Sequence, residues 1–232
     1  MGAEVAAGPP RRTLSIECAI ASVGILAVLG ALKHLGALIP LVHTHAGTVA
    51  AALQLYVPVM LIDRRGVTAK SLGLDAAGWR RDLLIVVALA AAITVPFAIG
   101  HHLWQTLLYA RPFTLRAPDD LLGSLASQIL VVALPEELYF RGYLQGRLEV
   151  LWPARRRLFG VPFGAAILTA SAVFALAHFV GEYRFDRLGP FFPALLFGLL
   201  RTRTSSILAP VLLHAYCNIL GDVLWTFYRS GP

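Results

Sequence analysis

The sequence predicts an all-α protein, a polytopic transmembrane helical bundle of about seven spans with a cytoplasmic N-terminus. Of its 232 residues, 57% are apolar and only 14% are charged, whereas soluble domains contain about 45–50% apolar and about 25% charged residues. The mean hydropathy of +0.69 agrees with a membrane protein. Apolar runs such as residues 83–99 are unbroken, while strands of a membrane barrel alternate between apolar and polar positions, so helices are the spanning elements.

Seven apolar segments are candidate spans. They cover residues 14–32, 46–62, 83–109, 121–150, 161–180, 190–200 and 205–228. The first has no small-residue cleavage site after Leu32 and is interpreted as a span rather than a signal peptide. The sixth is shorter than the roughly 20 residues that cross a bilayer, so we expect it to be tilted, re-entrant or shielded. No soluble domain remains, which predicts that residues 1–232 form a single membrane-embedded domain.

Basic residues sort between alternate loops. With a cytoplasmic N-terminus, the inside segments hold thirteen of the 20 Lys and Arg residues, namely Arg11, Arg12, Arg64, Arg65, Lys70, Arg80, Arg81, Arg147, Arg155, Arg156, Arg157, Arg201 and Arg203. The outside segments hold six, namely Lys33, Arg111, Arg116, Arg184, Arg187 and Arg229. This asymmetry follows the positive-inside rule. The net charge of +7 therefore reports orientation, and no nucleic-acid partner is predicted.

Ionisable and polar side chains occur inside three late spans, where each charge costs at least about 2.5–3.5 kcal/mol on insertion scales. Such residues are functional candidates for that reason. Three motifs appear in this order on successive late spans: Glu136-Glu137-x-x-x-Arg141, Phe174-x-x-x-His178 and His214-x-x-x-Asn218.

The fourth span carries two adjacent carboxylates. Glu137 and Arg141 are spaced i and i+4, so the simplest interpretation is that they neutralise each other for insertion. Glu136 is rotated by about 100° from Glu137 and is left for another face of the helix. A second carboxylate beside the first is a like charge in a low dielectric, which favours proton uptake and suits a general base.

His214 and Asn218 are also spaced i and i+4, so two hydrogen-bond donors converge on one face, as a developing oxyanion requires. A single His or Asn in a bundle is more often a packing contact, so the prediction depends on the group. Counting residues from the connecting loop places Glu136 level with His178. His214 reaches that level only if a buried turn precedes the seventh span.

The three motifs resemble those of the CAAX-protease and bacteriocin-processing (CPBP, also called ABI) family of intramembrane proteases, which is related to type II CAAX prenyl endopeptidases and includes myxosortase-like members. The resemblance covers residues 121–228, which are predicted to carry the CPBP-type catalytic core. It implies a glutamic-type endopeptidase without a cofactor. The implied roles are water activation by Glu136 and His178, oxyanion stabilisation by His214 and Asn218, and support by Glu137 and Arg141.

The resemblance also implies a membrane-anchored peptide or protein substrate: a CAAX-like tail, a bacteriocin precursor or a C-terminal sorting tail. The high Ala, Arg and Leu content is typical of a GC-rich bacterial genome. We therefore expect an integral protein of the bacterial inner (plasma) membrane, and a peptide tail rather than a prenylated substrate.

Two alternatives stay open. Glu136, His178 and His214 could hold zinc with an open position for water, although the sequence has no HExxH pair. Buried Glu and His residues also serve as proton relays in transporters or as polar contacts in a non-catalytic scaffold. The sequence does not show the paired repeats with interrupted helices that many transporters carry.

Overall fold

The computed structural model describes residues 10–62, 64, 67–75, 77–117 and 120–228. Arg65 and Arg229, which enter the charge count above, lie outside the described residues. This part of the chain contains seven main helices: α1 (Arg11–Leu38), α2 (Pro40–Met60), α3 (Trp79–Leu108), α4 (Leu121–Leu151), α5 (Ala165–Glu182), α6 (Phe191–Thr204) and α7 (Leu208–Thr226). They follow the seven predicted segments in order, and the all-α class is confirmed.

Five of these helices, α1, α3, α4, α5 and α7, are long and apolar enough to cross a membrane. Helix α6 has 14 residues and is too short to span by itself. Helix α2 has 21 residues, but His43, His45 and Gln54 reduce its apolar character. The outer face of α3 exposes large apolar side chains such as Leu84 and Val95, as a lipid-facing helix does. The chain is an integral membrane protein.

The predicted start of the fifth span at residue 161 is wrong. Strands β1 (Arg156–Leu158) and β2 (Val161–Phe163) pair as an antiparallel hairpin, and α5 begins only at Ala165. Phe159 and Gly160, between the strands, both have positive φ angles, of 52° and 74°. Tight two-residue hairpin turns use this backbone conformation. The apolar strand residues joined the helical run in sequence, and local hydropathy did not separate them.

Helix α4 occupies the centre of the bundle and contacts α1, α2, α5, α6 and α7. Its middle is buried, with Leu138, Phe140 and Leu144 almost fully enclosed. The helix is π-wound over Gln128–Ala133 and Leu138–Gln145, on either side of the α-helical turn that contains both glutamates. Local π-helical turns are frequent at functional sites.

The turn between α6 and α7 is buried, which is the condition for His214 to lie level with Glu136. Ser206 and Ile207 are almost fully enclosed, and the loop 67–75 covers them. The Ile207 N–H donates to the Gly73 carbonyl at 3.0 Å, and Arg201 Nη2 donates to the Ser71 carbonyl at 2.7 Å. Gly73 has a φ of 78°, and a Cβ there would lie 2.9 Å from Arg201 Nε, so this close approach favours glycine.

Candidate active site

Glu137 joins two helices through a single carboxylate oxygen. The side chain is fully buried, and its Oε1 accepts hydrogen bonds from Arg141 Nη1 and from His214 Nδ1, both at 2.8 Å. The predicted i, i+4 pair with Arg141 is therefore present, but it has a third member from α7. Because His214 Nδ1 donates to Glu137, Nε2 is the imidazole nitrogen left for other contacts.

Arg141 is held between aromatic rings. Its guanidinium carbon lies 4.2 Å from the ring centroid of Phe174 and 5.3 Å from that of Phe197. Its Nη2 also donates to the Ala194 carbonyl of α6 at 3.4 Å. A buried charge is tolerated only when paired and hydrogen-bonded, and the rings add cation–π attraction. These contacts fix the guanidinium of Arg141 in one position.

His214 is enclosed on both sides. Its imidazole stacks on Phe197 at a centroid distance of 5.0 Å and an interplanar angle of 18°, and it meets the edge of Phe174 at 5.8 Å. Its Nε2 lies 3.8 Å from Glu136 Oε2. One imidazole thus bridges the two adjacent carboxylates of α4, with Glu137 at one nitrogen and Glu136 near the other.

Glu136 is the carboxylate that turns away from the arginine. Its side chain is 19% exposed, and within the described residues it forms no hydrogen bond, although its Oε2 is buried. A buried acceptor without a hydrogen bond costs free energy, and native proteins retain such groups mainly where function requires them. The predicted division between Glu137 and Glu136 is present in the geometry.

His178 lies on α5 and contacts Phe174, one helical turn before it. Its Nδ1 donates to the Phe174 carbonyl at 3.0 Å, and the two rings lie 4.6 Å apart. This hydrogen bond places the proton of a neutral imidazole on Nδ1 and leaves Nε2 as an acceptor. Phe174 therefore contacts Arg141, His178 and His214 together.

Glu136 and His178 line the same cleft, which has a volume of about 260 Å³. Its opposite wall comes from α2, where the small residues Gly47, Ala50 and Ala51 leave space beside α4. Gln54 also lines this wall and forms no hydrogen bond within the described part of the chain. The N-terminal helices, which carry no motif, thus form half of the cleft.

Asn218 forms no hydrogen bond to this group within the described residues. Its Nδ2 donates to Gln128 Oε1 of α4 at 2.9 Å, and Gln128 Nε2 donates in turn to Asp222 Oδ2 at 3.2 Å. The structure therefore connects Asn218 to α4 one helical turn beyond His214, and not to the glutamates. Only one of the two amide hydrogens of Asn218 is used in this contact.

Sequence reasoning assigned no role to Gln54 or Phe197. Gln54 could have been identified as a candidate from the sequence, because it is an isolated amide in the apolar second half of α2. Phe197 could not have been identified in this way, since the sequence does not distinguish an exposed phenylalanine on α6 from a buried one. Its stacking on His214 depends on how α6 and α7 pack together.

A metal site was the alternative use of Glu136, His178 and His214. Among the described residues, no three His, Cys, Asp or Glu side chains are grouped closely enough to hold a metal ion. Of the three candidates, Glu136 and His214 form the close pair. That the reaction uses no cofactor stays a prediction.

Comparison with known proteins gives one match. Residues 118–220 match the family model described as type II CAAX prenyl endopeptidase Rce1-like. The matched segment contains all six site residues and leaves out α1, α2 and α3. No curated protein and no solved structure matches the chain.

Proposed function

We propose that the chain is a CPBP-type intramembrane protease, because residues 118–220 match the type II CAAX prenyl endopeptidase Rce1-like model. We propose further that it is a glutamic-type endopeptidase that cleaves a membrane-anchored peptide or protein. The proposal rests above all on one observation. Glu136, without a hydrogen-bond partner in the described structure, and His178, with Nε2 left as an acceptor, line one cleft. A carboxylate and an imidazole placed in this way can bind and deprotonate one water molecule.

In the proposed reaction, Glu136 removes a proton from a water molecule that also donates a hydrogen bond to His178 Nε2. The water oxygen forms a bond to the scissile carbonyl carbon, and the carbonyl π electrons move onto oxygen to give a tetrahedral oxyanion. As this intermediate collapses, the C–N bond breaks and Glu136 returns the proton to the leaving nitrogen. One positioned acid–base group of this kind contributes about 10²–10⁴ in rate.

The charges of the site support a proton on His214. Arg141 carries one positive charge, and ionised Glu136 and Glu137 carry two negative charges, so one additional proton makes the cluster neutral in a low dielectric. Located on His214, this proton gives an Nε2–H that donates to the oxyanion. We propose Asn218 as the second donor, through the amide hydrogen that Gln128 does not use.

Phe174, Arg141 and Glu137 act as positioning residues in this scheme. Glu137 holds His214 Nδ1, Arg141 balances the Glu137 charge, and Phe174 contacts both histidines. Preorganised donors stabilise the transition state more than flexible donors do, because no free energy is needed to order them during the reaction.

The cleft supports lateral access for the substrate. It lies between α2 and α4, and the small side chains of Gly47, Ala50 and Ala51 leave room for an extended chain. We propose a membrane-anchored tail as the substrate class, with CAAX-like tails, bacteriocin precursors and C-terminal sorting tails as its candidate forms. The bacterial inner membrane is the proposed location.

The decisive experiment is Glu136→Gln in the full-length protein in proteoliposomes, assayed on anchored reporter peptides of the three candidate forms. We expect hydrolysis to fall about 10³-fold, within the range for a general base. Glu149→Gln is the matched control, since Glu149 lies on the same helix and, among the described residues, accepts hydrogen bonds only from Gln145 and Thr202. Undiminished hydrolysis by Glu136→Gln would remove Glu136 from the mechanism, and loss by Glu137→Gln alone would make Glu137 the base.

Chelation decides between this mechanism and zinc. We expect activity to survive prolonged dialysis against a strong chelator, and the purified protein to contain no stoichiometric metal. Loss of hydrolysis on chelation, with recovery on adding zinc, would favour the metal mechanism. Comparative proteomics of membrane-anchored proteins in cells with wild type or Glu136→Gln would identify the substrate by its retained tail.

A further inference from the structure

A second concave site lies away from the glutamates, where α3 begins, α6 ends and the β-hairpin turns. A cavity of about 470 Å³ there is lined by Arg81 of α3, Arg157 of β1 and Arg203 of α6. An apolar groove of about 460 Å³ adjoins it. We propose that the two together bind one anionic phospholipid, with its phosphate at the arginines and an acyl chain in the groove.

The basic half has the chemistry of a phosphate site. Arg203 forms no hydrogen bond within the described residues, so its full guanidinium fork is available. Arg157 spends its Nε and Nη2 on the Gly160 carbonyl, and Arg81 reaches Asp82 at 3.1 Å. The Asp82 carboxylate is fully buried behind Arg81, and no carboxylate lines this cavity in the described structure. A guanidinium fork matches a phosphate with two parallel hydrogen bonds.

The apolar half begins where the basic half ends. Both cavities share Ile85, Val161 and Arg203 in their linings. From there the groove extends along α3 past Ala88 and along α6 toward Leu196. The charged side chains therefore lie at the ends of α3 and α6, and the apolar surface extends from there toward the middles of these helices. A phospholipid has the same arrangement, with a charged headgroup followed by an apolar acyl chain. A soluble phosphate compound would use only the first cavity.

The position in the membrane agrees with a lipid ligand. All three arginines belong to the basic set that the positive-inside rule assigns to the cytoplasmic side. Anionic lipids are enriched in cytoplasmic leaflets, and basic pockets between spans on that side bind their headgroups. Phe159 at the hairpin tip is 86% exposed, as suits a side chain that enters the interface between headgroups and acyl chains.

Helix α6 lines the groove with one face and contacts the candidate active site with another. Leu196, Leu199 and Leu200 of α6 face the groove, while Phe197 of the same helix stacks on His214. A lipid in the groove fills space between α3 and α6. We therefore expect bound lipid to raise the thermal stability of the protein.

The test uses the full chain in an uncharged detergent. Phosphatidylglycerol is added in mixed micelles, binding is measured by native mass spectrometry, and stability is measured as the shift in Tm. Phosphatidylcholine is the zwitterionic comparison, and glycerol phosphate is the soluble headgroup comparison. Arg203→Gln is the charge variant, because it breaks no hydrogen bond of the described structure. Arg155→Gln is its control, a basic residue at the same end that lines neither cavity.

We expect phosphatidylglycerol to bind and raise Tm, and Arg203→Gln to weaken its binding about fivefold, as one basic residue near a membrane surface contributes. Ala88→Trp, which fills the groove without changing charge, should weaken binding at least as much. Val87→Trp, on the lipid-facing side of α3, should leave it unchanged. Equal binding of phosphatidylcholine, or an equal loss with Arg155→Gln, would overturn the proposal. A Tm shift that glycerol phosphate reproduces and Ala88→Trp does not affect would make this a soluble phosphate site instead.

Discussion

Helix α4 carries two buried ionic clusters that differ in how completely their carboxylates are bonded. In the anchoring cluster, both oxygens of Glu17 on α1 accept hydrogen bonds: Oε1 from Tyr143 and Arg147 Nε at 2.9 Å, and Oε2 from Arg147 Nη2 at 3.1 Å. In the site cluster, Glu137 Oε1 accepts two hydrogen bonds, while Oε2 has no partner among the described residues.

The difference separates a structural ion pair from one that we propose to be part of the active site. A bidentate Arg–carboxylate pair with an added hydroxyl satisfies the carboxylate and fixes α1 against α4. The site cluster retains acceptor oxygens on Glu137 and on the neighbouring Glu136, which is unfavourable for stability and useful for binding water. Composition alone does not distinguish the two, since each contains a glutamate and an arginine on or against α4.

The largest expected effect comes from neutralising the carboxylate in each cluster. Glu137→Gln should lower hydrolysis about 10²–10³-fold, because His214 loses the charged partner that holds its proton. Glu17→Gln should leave the activity per folded molecule unchanged. Both should lower stability, since breaking a buried ion pair costs about 3–5 kcal/mol. Activity in proteoliposomes, divided by the folded fraction from thermal unfolding, measures the contrast.

A fall in normalised activity for Glu17→Gln equal to that for Glu137→Gln would show that the two clusters act as one unit. In that case α1 would belong to the catalytic machinery. The circular dichroism spectra of both variants serve as the control for helix content.

A smaller effect is expected from Phe174→Leu. This change keeps an apolar side chain but removes the ring that contacts Arg141, His178 and His214. We expect kcat to fall about tenfold with little change in KM, because misplacing catalytic groups raises the barrier without altering substrate binding. Leu144→Ala, at a fully buried position of α4 that does not line the cleft, is the packing control. An equal loss of kcat in both variants would make the effect one of core packing.

The smallest effect concerns the anchoring cluster alone. Tyr143→Phe removes one of the hydrogen bonds to Glu17 and leaves the bidentate contact of Arg147 in place. We expect a loss of about 1 kcal/mol in the free energy of unfolding, the usual size for one hydrogen bond, with full activity. Denaturant unfolding in mixed micelles measures it. A change in hydrolysis rate would contradict the assignment of this cluster as purely structural.

Much of the fold was predictable from hydropathy. The seven segments correspond in order to the seven helices, but the second helix begins at Pro40, six residues before its predicted start. The fifth begins four residues after its predicted start, because Val161 and Phe163 of β2 are as apolar as helical residues. The pairing of β1 with β2 depends on a turn at Phe159 and Gly160. Glycine commonly adopts a positive φ and phenylalanine rarely does, so only Gly160 indicated the turn in the sequence.

The site was most directly predictable where a contact lies within one helix. The spacing of Glu137 and Arg141 determines their pairing, since residues i and i+4 always share a helical face. The same rule places Asn218 on the face of His214, but it does not say that Gln128 of α4 accepts a hydrogen bond from its amide.

By itself, the sequence determined the class of protein, the order of its helices and the candidate site residues, because hydropathy and helical periodicity are local properties. The tertiary structure decided that Glu137 is shared between Arg141 and His214, that Glu136 faces a cleft, and that α2 forms its other wall. These contacts join side chains far apart in sequence. They depend on how the buried α6–α7 turn packs against the rest of the bundle and how the central α4 packs against its neighbours. Local sequence patterns do not predict this packing.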